Sequence, residues 1–225
     1  NAVEHGGRFS HGRFQRTLFE TLEEMLRTDD HPYYDLCRQV VQEVEERYLL
    51  GYGVNLCYES WTQGAATIRR LEAEQGCNSP WCLTVCLSSG DKRMPLEDCC
   101  ALIDQGMALG VMSYLLEEDA ARAEVLCALS ERYPQCALAV FLPDERIDDA
   151  LLDALDAADN LALAAVRREG DFTSGARLRA HHRNYFLCRE YGPAEAEALM
   201  ATGDLRPAGD PDAPIVMFRP RPDCP

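Results

Sequence analysis

The chain of 225 residues is long enough for one compact domain with an appendage, and its 47% of hydrophobic and 27% of charged residues are the values of a globular protein. A formal net charge of −16, from 38 acidic and 22 basic residues, would repel a phosphate backbone, so nucleic acid is excluded from the expected partners. No apolar run approaches the roughly 18 residues of a spanning helix, and no signal-peptide pattern opens the sequence, so we expect no membrane partner and a cytoplasmic location.

Residues 1–76 have the pattern of an N-terminal helical segment. Apolar residues recur at helical spacing over 10–28, and a second amphipathic stretch begins at Tyr34. We expect this second helix to stop at Gly51-Tyr52-Gly53 and a third helix to cover 54–74. No residue of this segment carries chemistry.

From Pro80 the pattern changes to short β-type runs that alternate with amphipathic helical runs, which is typical of repeated βα units around a parallel sheet. Residues 77–225 are therefore predicted to form an α/β domain. The predicted strands are Trp81–Leu87, Val111–Leu116, Cys136–Leu142, Leu161–Val166 and Ile215–Phe218. The predicted helices are Pro95–Gly110, Ala120–Tyr133, Ile147–Ala157, Ser174–Tyr191 and Pro193–Met200. We also expect Trp81 to be buried where the helices join the sheet.

Five strands are too few for a closed eight-stranded barrel, so the sheet is either open and doubly wound or a partial barrel. In both architectures ligands lie at the carboxyl ends of the strands. The acidic residues at those ends are weak candidates for a ligand pocket, against the simpler interpretation of solvated loop charge. They are Glu117, Glu118, Asp119, Asp144, Glu145 and Glu169.

Three stretches resemble the radical SAM family, in the subgroup that carries helices ahead of its barrel. Gly76–Trp81 is similar to the family's GCNIPW before strand one, and Pro95–Gly110 is similar to its first barrel helix. Asp144–Leu152 is similar to the segment after strand three, and the resemblance covers residues 70–190 in continuous order. It implies a truncated, partial (β/α) barrel of about five mostly parallel strands.

The departures from the family pattern bear on function. The family places a CxxxCxxC loop after strand one, whose three thiolates hold a four-iron cluster that chelates SAM. Here the connection is Ser88–Met94, which is short and contains no cysteine. The family's GGEP motif after strand two is reduced to Glu118, whereas Glu169-Gly170 matches the family after strand four. The resemblance therefore implies no catalytic residue, no metal and no cofactor.

The cysteines and the His181-His182 pair are two further groups of possible metal ligands. The eleven cysteines are irregularly spaced, which is typical of reduced thiols and not of a disulfide framework. Cys82 and Cys86 are four residues apart on a predicted strand, about 13 Å, which is too far for one small metal centre with Cys77. His181 and His182 are adjacent on a predicted helix and diverge by about 100°. Core packing and a polar helix face are the preferred interpretations.

We therefore predict a non-catalytic radical SAM-like protein that acts in protein association or regulation. Its partner would be another protein or a second copy, as a homodimer through the N-terminal helices. The aromatic residues of those helices are Phe9, Phe14, Phe19, Tyr33, Tyr34 and Trp61. The alternative is a protein or enzyme that binds a small ligand or a divalent metal at the acidic strand ends.

Overall fold

The computed structural model describes residues 32–202, 213 and 215–221, together with six isolated positions between 17 and 27. Apart from those six positions, the predicted helix over 10–28 lies outside the described residues, as do Phe9, Phe14 and Phe19. Helix α1 (Pro32–Glu43) belongs, apart from its last residue, to a first compact unit that ends at Gln42. Everything from Glu43 onward belongs to a second unit.

The second unit consists of helices followed by alternating strands and helices. The helices before the sheet are α2 (Glu46–Val54), a π-helical segment (Asn55–Gly64) and α3 (Ala65–Gln75). The first part of the sheet region contains β1 (Cys82–Ser89), β2 (Lys92–Arg93), α4 (Leu96–Ala108), β3 (Ser113–Glu118), α5 (Ala123–Arg132) and β4 (Ala137–Pro143). A 3-10 turn (Asp144–Arg146), α6 (Asp149–Ala154), β5 (Leu161–Arg167), α7 (Gly175–Ala180), β6 (Tyr185–Tyr191), α8 (Pro193–Thr202) and β7 (Val216–Pro220) follow.

The sheet has the strand order β2-β1-β3-β4-β5-β6-β7, with every pair parallel except the short β1–β2 pair. Apart from β2, each new strand from β1 to β7 is added on the same side of the one before. Because parallel crossovers are right-handed, this order places all the connecting helices on one face. The order never reverses, so the sheet is a partial barrel and not a doubly wound sheet. The main hydrophobic core lies between the strands and these helices.

The described residues form seven strands where five were predicted. The two-residue strand β2 was missed because it lies within the predicted loop Ser88–Met94. Strand β6 was missed because 174–191 was assigned to one helix. In the structure α7 ends at Ala180, and His182 adopts a positive φ of 50° before β6 begins. A residue in that conformation cannot continue a right-handed helix.

The predicted stop at Gly51-Tyr52-Gly53 is also wrong, because helix α2 runs through the tripeptide and continues without interruption into the π-helical segment and α3. Gly51 is required there for packing. A Cβ atom at this position would lie 2.7 Å from the carbonyl oxygen of Asp159. The helix ends instead at Gly76, whose φ of 70° makes it a left-handed C-cap.

This long helix crosses the amino ends of the parallel strands. The amide of Glu45 donates to the carbonyl of His182 before β6 at 2.9 Å, and the hydroxyl of Tyr48 donates to that of Asp156 before β5 at 3.0 Å. The side-chain amide of Asn55 donates to Cys136 before β4 at 3.0 Å. The helix therefore closes the bottom of the partial barrel. The boundary that the sequence places at residue 76 stays a prediction, although these contacts join the helix to the sheet.

Trp81 was expected to be buried, and this prediction is wrong. Its ring packs edge-on against Trp61 with the centroids 6.4 Å apart, so it does join helix and sheet. The residue is nevertheless 51% exposed. Trp81 directly precedes β1, an edge strand whose outer side is paired, within the described residues, only by the short β2 at its far end.

Candidate functional site

A cavity of about 810 Å³ opens at the carboxyl ends of the strands. Four of the six predicted pocket residues line it, namely Glu117, Asp119, Glu145 and Glu169. The other two, Glu118 and Asp144, are fully buried beside it. The sequence analysis missed the basic residues of the lining, which are Arg146, Arg167, Arg168 and Arg219. Each of these residues follows a strand or lies at the end of one. Their positions relative to the predicted strands could therefore have identified them.

Glu118, at the end of β3, is held by donors on all sides. The hydroxyl of Ser88 donates to one carboxylate oxygen, and the amide of Ala120 donates to the same oxygen at 3.1 Å. Arg122 donates to the other oxygen through Nε at 3.0 Å and Nη2 at 2.7 Å. The same guanidinium donates to the carbonyl of Leu87 at 2.9 Å. Glu118 therefore ties the end of β3 to the end of β1 and is not available to a ligand.

Asp144, directly after β4, accepts five hydrogen bonds. Arg167 donates to its carboxylate at 2.6 Å, and both the amide and the hydroxyl of Thr173 and of Ser174 donate to it at 2.6 to 3.0 Å. Burial raises the pKa of this carboxyl, but the bonds from Ser174 and Thr173 outweigh burial and hold the pKa below its ordinary value. Asp144 is therefore an anion that orders the loop after β5.

A third cluster spans the mouth of the partial barrel. Arg219 on β7 donates to Glu117 on β3 at 2.8 Å and to Glu190 on β6 through Nη2 at 2.5 Å and Nε at 3.1 Å. Arg168 after β5 donates to the other oxygen of Glu190 at 2.8 Å. Burial raises the pKa of Glu190, but the bonds from Arg168 and Arg219 outweigh it, so the pKa is lowered. We call Arg219, Glu117 and Glu190 the mouth cluster.

Aromatic side chains line the concave face below the mouth cluster. The guanidinium of Arg219 lies 5.4 Å from the ring centroid of Phe141, which packs edge-on against Phe186 at 5.9 Å. Ala139 and Ala164 leave room in this small core for Tyr52, which comes from the helix at the bottom. Burial raises the pKa of Tyr52 to about 12, so its hydroxyl is neutral at physiological pH.

The connection from β1 to α4 is a tight hairpin. Ser88 and Ser89 pair with Arg93 and Lys92, and the turn passes through Gly90 with a φ of 56°. The amide of Met94 donates to the carbonyl of Leu87 at 2.8 Å, which closes the hairpin at its base. This short segment carries no thiol, so the residues present do not fit the cluster loop of the radical SAM family.

The cysteines and histidines weighed as metal ligands are dispersed. Cys77 and Cys86 are exposed, and Cys82 is half-buried on the same strand as Cys86. His181 lies 3.1 Å from a carboxylate oxygen of Asp149, whereas His182 bonds to the carbonyl of Glu43 at 2.8 Å. Within the described part of the chain, no three His, Cys, Asp or Glu side chains converge as metal ligands would. No helix of that part is long and apolar enough to span a bilayer.

Comparison with known proteins gives a distant structural likeness. No protein-family model and no curated protein matches the chain. SuiB of Streptococcus suis bound to S-adenosylmethionine is 13% identical, with a TM-score of 0.40 over 57% of this chain and 37% of that one. SuiB bound to precursor peptide SuiA is 12% identical, with a TM-score of 0.44 over 63% of this chain and 40% of that one. The chain thus spans about two fifths of the length of these structures, and both ligands are those of SuiB.

Proposed function

We propose that this protein is a non-catalytic member of the radical SAM-like fold, which works by association with another protein or with a second copy. The observation that carries the proposal is the hairpin between β1 and α4. A radical SAM cluster needs three thiolates from one loop at this point of the fold. The hairpin contains Ser88, Ser89 and two basic residues instead. At its base the guanidinium of Arg122 donates a hydrogen bond to the carbonyl of Leu87.

The position of Arg219 supports the same proposal. A cofactor of SAM's size would need space between the strand ends and the centre of the partial barrel. Arg219 lies across that space, with Phe141 and Phe186 beneath it. Moving Arg219 aside would break both of its ion pairs and leave Glu190 with one of its three hydrogen bonds. The pair with Glu190 is the costlier to break, because that carboxylate is only 9% exposed.

The role in association is supported by an apolar stripe on the long helix. Leu50, Val54 and Tyr58 follow one another at four-residue spacing and are 48 to 55% exposed. Large apolar side chains in a contiguous exposed row are typical of surfaces that bind other proteins. The homodimer through the N-terminal helices stays a proposal, because Phe9, Phe14 and Phe19, three of those helices' six aromatic residues, lie outside the described part.

A second candidate function is supported by the cavity at the strand ends. Its volume of about 810 Å³ is in the range of small-molecule sites, roughly 300–1,000 Å³. The divalent-metal version is less well supported, because Glu117 is already paired with Arg219 and both Glu118 and Asp144 are enclosed by donors. Calorimetric titration with magnesium, calcium and manganese tests it. Heat that saturates with one of these ions would favour this second candidate, and no heat would remove the metal version.

Titration with S-adenosylmethionine tests the principal proposal. We expect no saturable binding up to low millimolar ligand, which corresponds to a binding free energy weaker than about −4 kcal/mol. S-adenosylhomocysteine is the matched ligand, because it lacks the sulfonium charge that the acidic mouth would attract. Saturable binding of either ligand in the micromolar range would contradict the proposal.

A further inference from the structure

The outer edge of β1 is open between Pro80 and the hairpin. No described strand lies beside this edge except β2, which pairs only with Ser88 and Ser89. Pro80 has no amide hydrogen and marks the other end of the open stretch. Residues Cys82–Cys86 therefore form an edge five residues long that no described strand pairs with, with Thr84 at its centre.

The backbone groups on this edge follow from the register of the sheet. The amide of Ala137 donates to the carbonyl of Met112, so Ser113 and Leu115, by alternation, direct their backbone groups toward β1. In a parallel ladder Leu115 bonds the two neighbours of its partner Thr84, which are Leu83 and Val85. Cys82, Thr84 and Cys86 consequently direct their N–H and C=O groups outward. Such a row is a template for another strand.

We propose that two copies of this chain pair through this edge as antiparallel strands, with the two-fold axis at Thr84. In that register Thr84 faces its own copy, and Cys82 of each chain faces Cys86 of the other. All three residues turn their backbone groups toward the partner, so the pair forms six hydrogen bonds. The self-complementary position of the two cysteines around Thr84 is the reason to choose a second copy over an unrelated strand.

The charge distribution allows this approach. Residues 75–90 contain no charged side chain, whereas the chain as a whole carries a net charge of −16. Two copies therefore meet at a neutral strand while their acidic surfaces stay apart. The side chains of Thr84 and Cys86 are exposed and that of Cys82 is half-buried, so they are accessible to the facing strand.

The proposed register has a covalent signature. Residues opposite each other in a hydrogen-bonded antiparallel pair have Cα atoms about 5.5 Å apart, which a disulfide can span. Within one chain the Cα atoms of Cys82 and Cys86 are about 13 Å apart along the strand, which no disulfide can span. A Cys82–Cys86 disulfide is therefore possible only between two chains. Each such bond releases two protons and two electrons, which an added oxidant such as diamide accepts.

Non-reducing electrophoresis of the diamide-treated full chain tests the register. We expect a covalent dimer with the unmodified chain and with Cys77→Ser, a matched exposed cysteine. Cys82→Ser and Cys86→Ser should each lose the dimer band when oxidised alone. An equimolar mixture of these two variants should recover it, because about half of the dimers that form are mixed, and each mixed dimer places the remaining Cys82 opposite the remaining Cys86. Variants that cross-link alone, or a mixture that does not recover the band, would overturn the proposal.

Light scattering provides a measurement that does not depend on thiol chemistry. Thr84→Lys places two like charges opposite each other at the axis and should weaken the dimer by about tenfold or more. Met217→Lys on the other edge strand, β7, is the control and should leave the dimer unchanged. A monomeric unmodified chain, or a dimer that Thr84→Lys leaves intact, would contradict pairing through β1.

The inference rests on the proposed role in association and not on the loss of the cluster. A dimer that survives Thr84→Lys would reject this edge while leaving association through another surface standing. Iron binding by the chain would reject the non-catalytic proposal without affecting the β1 experiment.

Discussion

Arg219 on β7 pairs with Glu117 on β3 at 2.8 Å, although three strands lie between β3 and β7 in the sheet. Adjacent strands are about 4.8 Å apart, so a flat sheet would separate β3 from β7 by about 19 Å. An Arg and a Glu side chain cannot bridge that distance with their backbones in a plane. The ion pair therefore requires a strongly curved sheet, and it links β3 to β7 across the mouth of the partial barrel.

Replacement of Arg219 by methionine should destabilise the protein. The side chain of Glu190 is only 9% exposed and would lose two of its three hydrogen bonds, so the free energy of unfolding should fall by about 2 kcal/mol. Arg168→Met is the matched control. Its side chain is 69% exposed, so its ion pair with Glu190 should contribute less than about 1 kcal/mol. Urea unfolding of the two variants measures the difference, and equal losses would contradict a special role for Arg219.

The two glycines of α2 offer a prediction within a single helix. Gly51→Ala should reduce the free energy of unfolding by about 1–3 kcal/mol, because the new Cβ would overlap the backbone of Asp159. Gly53→Ala meets nothing within 4 Å and should stabilise the protein by up to about 1 kcal/mol through helix propensity. Thermal unfolding of both variants is the measurement. Similar effects at the two positions would mean that α2 does not lie against the start of β5.

Stability should fall with acid because two carboxyls have lowered pKa values. Asp144 and Glu190 have ordinary values of 3.8 and 4.5, and the folded protein holds both below these. The unfolded chain therefore binds protons first as the pH falls, so stability present above about pH 5 is lost from there down through the folded pKa values. Asp144→Asn removes one of the two groups, and its loss of stability between pH 5 and pH 3 should be smaller than that of the unmodified chain. Identical slopes from urea unfolding at each pH would contradict the assignment.

The parts of the fold that depend on local pattern were predictable from the sequence. All five predicted strands match β1, β3, β4, β5 and β7 to within two residues at every end, because their apolar runs are bounded by turn residues. Strand β6 was not predictable in this way. Its sequence, Tyr185–Tyr191, is as compatible with the end of an amphipathic helix as with a strand, and a left-handed residue at His182 decides between them.

The candidate site was predictable only in its acidic half. Alternation of strands and helices places Glu117, Asp119, Glu145 and Glu169 at one end of the sheet, as expected. The pairing of Glu117 with Arg219 joins positions 102 residues apart and depends on the curvature of the sheet. No local pattern carries that information. The enclosure of Asp144 by Thr173 and Ser174 depends in the same way on the path of the loop after β5.

Iron content after anaerobic reconstitution tests the central claim most directly. Protein incubated with iron and sulfide and then desalted should be colourless and should retain no stoichiometric iron, because the hairpin from Ser88 to Met94 contributes no thiolate. The account would be contradicted by a broad absorbance near 400 nm together with about four irons per chain, as a four-iron cluster would give.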